Sequence, residues 1–400
     1  MSVNTKQLTS DKPVALIAII GLLAISLFLQ QAFNLRQALL FLLGILLGIT
    51  LLHAAFGFSG AWRNLIRERK TEGVQAQILL LALTSLLFFP LLGNILPDIH
   101  VAAATAPVGI SIVVGAFLFG IGMQLGGGCG SGTLYTVGGG HVVMLITLAF
   151  FIVGATVGSA HLHWWLNSLP NLGEISFIDK VGWIPALMIQ LVVLSGLFFL
   201  VKKLGNSGNG KTQSDVPVND REFTERLIFG PWPLWWAVIG LAILNLLTLL
   251  LAGHPWTITF AFGLWGAKIW SALGGDVMSW PYWSSAYPAK ALSSSVLADT
   301  TSVMNFGVII GAILAAALAG KFAPPGNIKM NRLFAAVIGG LLLGYGARLA
   351  FGCNIGALLA GISSGSLHGW IWLLAGFAGA FVGVYVRILL GLDAKYGSKG

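Results

Sequence analysis

Nine apolar runs constrain this chain more than any other feature: 14–30, 38–56, 74–93, 142–160, 183–201, 232–251, 301–320, 332–350 and 369–390. A helix needs about 20 residues to cross a bilayer, and these runs are near that length. None alternates apolar and polar residues as a membrane barrel strand does. In lipid a helix satisfies its own N–H and C=O groups, so helices are the form such runs take. A soluble fold is excluded by charge: only 9% of residues are charged and 56% are apolar, against about 25% charged in soluble domains. The expected fold class is all-α, a polytopic helical membrane protein.

A net charge of +9 invites a nucleic-acid reading. The basic residues instead occupy short connectors between apolar runs, which is the positive-inside distribution. The expected partner is therefore the lipid bilayer, with no nucleic acid. Lys6 and Lys12 precede the first run as in a signal peptide, but no small-x-small cleavage site follows. That run reads as a retained helix. Cys129 and Cys353 are the only cysteines, too few for a disulfide framework.

One segment breaks the pattern. Residues 204–228, LGNSGNGKTQSDVPVNDREFTERLI, are rich in glycine, polar groups and mixed charge, as a solvated linker is. It divides the chain into an N-terminal membrane repeat, 1–203, a polar cytoplasmic linker, 204–228, and a C-terminal membrane repeat, 229–400.

The two parts share a motif. VVGAFLFGIGMQLGGGCGSG at 113–132 aligns without gaps on VIGGLLLGYGARLAFGCNIG at 337–356, at a constant offset of 224. Nine of the twenty positions are identical, and the two cysteines fall on equivalent positions. Chance would give roughly two identities in so glycine-rich a stretch, so we read an internal repeat. Basic clusters at Arg63, Arg67, Arg69 and Lys70, in the linker, at Lys321, Lys329 and Arg332, and at Lys395 and Lys399 mark the cytoplasmic face. With those loops inside, the helix at 107–123 runs inward and the helix at 332–350 runs outward. The expectation is an inverted repeat, which on this count requires the segment around 276–300 to cross the membrane; without that crossing the count gives parallel repeats with the C-terminus outside.

Each motif ends a helix in glycines around a cysteine. Gly126, Gly127 and Gly128 precede Cys129, and Gly130 follows it; Gly352 precedes Cys353, and Asn354 follows it. Three successive glycines break a helix. Unwound backbone at membrane depth is tolerated only where protein or a water-filled cavity surrounds it. After the first break, Ser131 and Thr133 can start a half-helix whose amide groups point back at the break and favour an anion. Broken helices of this kind hold substrate in many transporters. The thiols are soft groups suited to sulfur, although a buried cysteine is also an ordinary small apolar residue. Arg348 lies five residues before Cys353. An arginine within a span faces the interior and can pair with an anion; snorkelling or a carboxylate partner is the alternative. The candidate substrate-binding residues are Cys129, Cys353, Arg348, Gly127, Gly128, Gly130, Gly352 and Asn354. Lys268 and His53 are weaker candidates inside apolar stretches. No nucleotide-binding loop, haem, quinone or zinc motif is visible, so no cofactor, metal or catalytic set is expected.

At these motifs the chain resembles the YeeE/YedE sulfur-transport family of bacterial inner-membrane proteins. The carriers are GIGMQLGGGCGSG, GYGARLAFGCNIG and FGFSGAWRN at 56–64. The resemblance implies a permease that brings thiosulfate, or a related sulfur or selenium species, into the cytoplasm past a relay of thiols. Cys129 and Cys353 would be two of those thiols, and a cytoplasmic sulfur-carrier protein would be a partner. A third family cysteine corresponds to Gly57, and the aspartate of that pattern to Asn64. Thr133 and Ala357 stand where the family often has histidine. Two other functions fit the residues: a membrane thiol redox or sulfur-transfer enzyme, and a permease for an unrelated small solute.

Overall fold

The computed structural model describes residues 10–205, 222–322 and 328–393. Most of the linker, 206–221, and Lys395 and Lys399 lie outside them. The chain opens with α1 (Lys12–Ala32), α2 (Leu35–His53), a short α3 (Phe58–Glu68) and α4 (Glu72–Leu92). Strand β1 (Pro107–Gly109) leads into α5 (Ile110–Leu125), the half-length α6 (Gly130–Gly138) and α7 (Val142–Asn167). Strand β2 (Asn171–Glu174) pairs antiparallel with β1. Next come α8 (Phe177–Val181), α9 (Trp183–Leu204), α10 (Phe223–Phe229), α11 (Leu234–Ala252), α12 (Thr259–Ala272) and α13 (Ala286–Ser293). The last elements are α14 (Thr300–Leu318), α15 (Met330–Leu349), a π-helical turn (Asn354–Leu359) that runs into α16 (Ala360–Ser363), and α17 (Leu367–Leu389).

Among the described residues, ten segments are long and apolar enough to cross a membrane. The broken pair α5–α6 forms one of them, and α15 with its π turn and α16 forms another. Large apolar side chains point outward: Ile17, Ile20 and Leu23 on α1, and Ile189, Val192 and Phe199 on α9, are all exposed. Such faces have no place in water and are what a lipid-facing helix presents.

Inside the bundle, the two halves interleave. α2 packs on α14, α5 on α17, α7 on α15, and α5 on α15. Lipid offers no hydrophobic drive between helices, so close approach at small residues carries these contacts. Gly44 abuts the Met304 carbonyl, and Gly307 abuts the Phe41 carbonyl in return. α5 and α15 run antiparallel: Gly115 meets Gly346, and Gly122 meets Gly339. At one end of this pair Ser111 Oγ donates to the Leu349 carbonyl at 2.7 Å.

The segment around 276–300 does not cross, contrary to expectation. It holds α13, of 8 residues, and a 3-10 turn of 3 residues. At 1.5 Å per residue neither reaches the ~30 Å hydrocarbon thickness. α12, of 14 residues, also falls short. The chain leaves α11 and returns to α14 on one side. Arg36 donates to the Leu251 and Ala252 carbonyls at 2.7 and 2.9 Å, and the adjacent Gln37 donates to the Leu297 carbonyl at 2.9 Å. Without that crossing, α11 and α14 alone carry the chain across and back, so α15 begins on the face at which α11 begins.

Candidate functional site

Helix α5 ends at Leu125, and the chain turns through Gly126–Gly128 so that Cys129 caps the N-terminus of α6. α15 ends at Leu349, and Cys353 caps the π turn. The two breaks turn alike two residues before the cysteine, and an α-helix follows Cys129 where a π turn follows Cys353. Gly127 has φ +86° and its equivalent Phe351 has φ +59°, so both breaks turn through the left-handed region. Gly128 and Gly352 then fold back on the half-helix they introduce. A β-carbon on Gly128 would stand 3.1 Å from Thr133 N, and one on Gly352 would stand 2.7 Å from the equivalent Ala357 N. These glycines are needed for backbone approach, which their sequence pattern implied. Phe351 is the exception: a left-handed non-glycine residue costs roughly 1–2 kcal/mol and gives no signal in sequence.

The breaks bring the two cysteines to one place. Both are free and buried, with at most 1% exposure. Cys353 Sγ lies 3.0 Å from where a β-carbon on Gly130 would be, and Gly130 directly follows Cys129. Cys129 Sγ pairs with Ser131 Oγ at 3.4 Å. Cys353 Sγ accepts from the Ile355 N–H at 3.4 Å. Beside Cys353, the fully buried Asn354 has no hydrogen-bond partner for either Oδ1 or Nδ2. A buried amide left unpaired carries a desolvation penalty of about 1–3 kcal/mol, and such groups mark places where something else binds. Around the breaks Phe119, Phe151, Phe262 and Trp372 form a buried aromatic shell, with ring centroids 4.8–6.2 Å apart.

Arg348 belongs to a neighbouring layer. Its Nη1 donates to the Tyr282 hydroxyl at 2.5 Å, and its guanidinium carbon lies 4.5 Å from that ring's centroid. Nη2 would collide with a β-carbon on Gly263. Nε and Nη2 are buried without hydrogen-bond partners, and no salt bridge among the described residues involves Arg348. Among the described residues, no hydrogen bond or ion pair joins it to either thiol. Lys268 closes α13, donating to the Leu292 and Ser294 carbonyls at 2.6 Å each, and His53 is buried beside Trp232.

Several polar groups near the breaks gave weak or no signal in sequence. Asn305, alone in the apolar α14, donates to the Ile258 carbonyl at 3.0 Å, and a lone asparagine in a span is a signal that could have found it. Thr257 and Thr301 face each other at 3.4 Å, and Thr257 borders Gly356. Tyr282 lies in an irregular loop and gave none. Away from the breaks, Asp299 caps α14 through Ser302 N–H at 2.7 Å and accepts from Tyr287 at 3.1 Å. Burial raises its carboxyl above the usual range. At the opposite end Arg387 grips Asp393 with two bonds of 2.8 and 2.9 Å, which hold that carboxyl below the usual range.

A multi-pass helical bundle in which two opposed helices break at a shared, buried polar point has the architecture of discontinuous-helix transporters. The model of the Sulphur transport family matches residues 53–382, and the chain belongs to that YeeE/YedE-type family. It is 26% identical over 354 residues to the "Thiosulfate transporter TsuA" of Spirochaeta thermophila, covering 82% of this chain and 92% of that one. Similarity to the "Thiosulfate transporter TsuA" of Escherichia coli K12 is 23% over 358 residues, 86% of this chain and 93% of that one. The "Probable transporter YedE" of Escherichia coli K12 matches at 31% over 159 residues, 38% of this chain and 37% of that one.

Proposed function

We propose that this chain is an inner-membrane permease for a small sulfur-containing anion, thiosulfate or a related sulfur or selenium species, which passes between the two glycine-cysteine breaks. One observation carries the reading: two free thiols, one from each half, meet at a buried point beside an asparagine whose side chain is wholly unpaired. The similarity to two thiosulfate transporters supports the choice of cargo.

Desolvation is the main barrier for a divalent anion. The thiols offer weak S–H donors to its sulfur, the Asn354 amide offers N–H to its oxygens, and Gly127, Gly128, Gly130 and Gly352 let the backbone approach. Several weak sites allow the ion both to enter and to leave. Arg348, with two buried unpaired nitrogens, attracts the anion one layer away. The antiparallel α5 and α15 support an inverted relation between the halves, so each break is approached from its own face. A cytoplasmic sulfur-carrier protein would receive the cargo and keep the gradient inward.

The test is uptake of radiolabelled thiosulfate by cells lacking other routes. Wild type restores uptake, and Cys129→Ala and Cys353→Ala each reduce it at least about tenfold with the protein still in the membrane. Full uptake by both variants removes the thiols from the path.

A further inference from the structure

The two breaks turn alike before the cysteine and differ in lining. After Cys129 the half-helix carries Ser131, Thr133 and Tyr135; the equivalent positions after Cys353 are Ile355, Ala357 and Leu359. The residues that precede the two short helices α3 and α12 differ in the same sense. Gln77 on α4 donates to the Gly57 carbonyl at 3.3 Å, as Asn305 on α14 donates to the Ile258 carbonyl. Gly57 and Ile258 are thus held in the same way, each just ahead of its short helix.

Ile258 is fully buried, and its Cγ2 lies 3.5 Å from where a β-carbon on Gly130 would be. It closes the Cys353 side with hydrocarbon. Gly57 offers no side chain. The hydroxyl of Tyr135 stands 3.1 Å from where its β-carbon would be, and Tyr135 sits on α6, whose N-cap is Cys129. α6 runs from Cys129 toward the end of α2: a β-carbon on Gly139 would lie 3.6 Å from Leu52. That end leads through α3 to the basic residues Arg63, Arg67 and Arg69. The phenol therefore fills the opening between the thiol pair and the basic face.

We propose that Tyr135 is a specificity-determining residue on the basic side of the thiol pair, its hydroxyl donating to the anion's oxygen end as the ion leaves Cys129, in space left open by Gly57. This rests on the anion-permease reading above. The physical case is one of donors. An oxyanion leaving two weak S–H donors loses their help before it reaches water, and an unpaired charge in a buried site is expensive. A neutral phenol supplies one good donor without the permanent charge that would trap the ion.

A double-mutant cycle of Tyr135→Phe and Gly57→Ala tests this, read by thiosulfate uptake normalised to folded protein in the membrane. Gly57 has φ −144°, so alanine fits its backbone, and the added methyl crowds the hydroxyl at 3.1 Å and pushes it from its place. Each single variant is expected to lower uptake at least about tenfold, and the double variant to be no worse than either, because both remove one contact. Wild-type uptake by Tyr135→Phe, or effects that multiply in the double variant, overturns the proposal while leaving the permease reading intact. A wild-type protein that carries no thiosulfate overturns the permease reading and this proposal with it.

Discussion

The sulfur of Cys353 rests against Gly130, 3.0 Å from the point where a β-carbon on that glycine would stand. One half of the chain thus supplies the space in which the other half's thiol sits. Alanine at 130 would also meet Cys353 Cβ at 3.4 Å and Ile258 Cγ2 at 3.5 Å. Gly130→Ala is expected to displace the thiol and lower thiosulfate uptake at least about tenfold. Overpacking of this kind costs about 1–3 kcal/mol, so the protein stays in the membrane. Uptake at the wild-type level would show that the thiol's place does not matter.

Gly311 offers a contrast, because its added β-carbon meets α2 and neither cysteine. A β-carbon there would come within 2.1 Å of the Ile45 carbonyl oxygen, and one on Gly48 within 2.2 Å of the Val308 carbonyl oxygen. Backbone meets backbone, and neither side can rotate away. Gly311→Val is expected to force α2 and α14 apart and to lower the unfolding midpoint in detergent by several degrees or abolish expression. A midpoint equal to wild type would contradict the packing described. Gly60, whose added β-carbon meets nothing within 4 Å, serves as the tolerant control as Gly60→Ala.

The membrane bundle and the two breaks were legible because each leaves a local mark: length and apolarity for the spans, glycine clusters and matched cysteines for the breaks. The 253–299 region was not. A crossing was expected at 276–300, and only the return of the chain to the same end of α2, fixed by Arg36 and Gln37, shows that it does not occur. Arg348 stood out in sequence as a charge in a span, yet its partner Tyr282 comes from 66 residues away through a loop without periodicity. Phe351 takes a left-handed conformation that glycine would have announced. Tyr135 was hidden because an aromatic in an apolar stretch is ordinary; only its place beside Gly57 distinguishes it.

Arg348 supports a sharper test than charge removal alone. Its guanidinium lies over the Tyr282 ring and against Gly263, a slot shaped for a flat group. Hydrogen bonds to charged groups contribute about 1.5–3 kcal/mol, which corresponds to roughly 10–150-fold in binding. Arg348→Gln is expected to reduce thiosulfate uptake within that range. Arg348→Lys should restore little of it, because a point charge on a flexible stem does not reproduce the planar fork. Full rescue by lysine would reduce the role of Arg348 to charge alone.

Asp393 should make stability depend on pH in one direction. Arg387 holds it with two bonds, Arg67 adds a third contact at 3.1 Å, and Arg387 Nη1 also donates to the Gln124 carbonyl at the end of α5 at 2.5 Å. The carboxylate therefore ties the α17 terminus to α3 and, through Arg387, to the first break. Hydrogen bonding by Arg387 is the main reason that its pKa lies below the ordinary 3.8. A group whose folded pKa is depressed contributes stability above its unfolded value and loses it as pH falls through the folded one. The contribution should be complete at neutral pH and fade below about pH 4. Asp393→Asn removes it at every pH. Thermal unfolding of wild type and Asp393→Asn in detergent should show wild type more stable at pH 7, with the gap closing toward pH 3. A gap that stays constant, or widens on acidification, would mean that the ionised carboxylate is not what holds this end of the bundle.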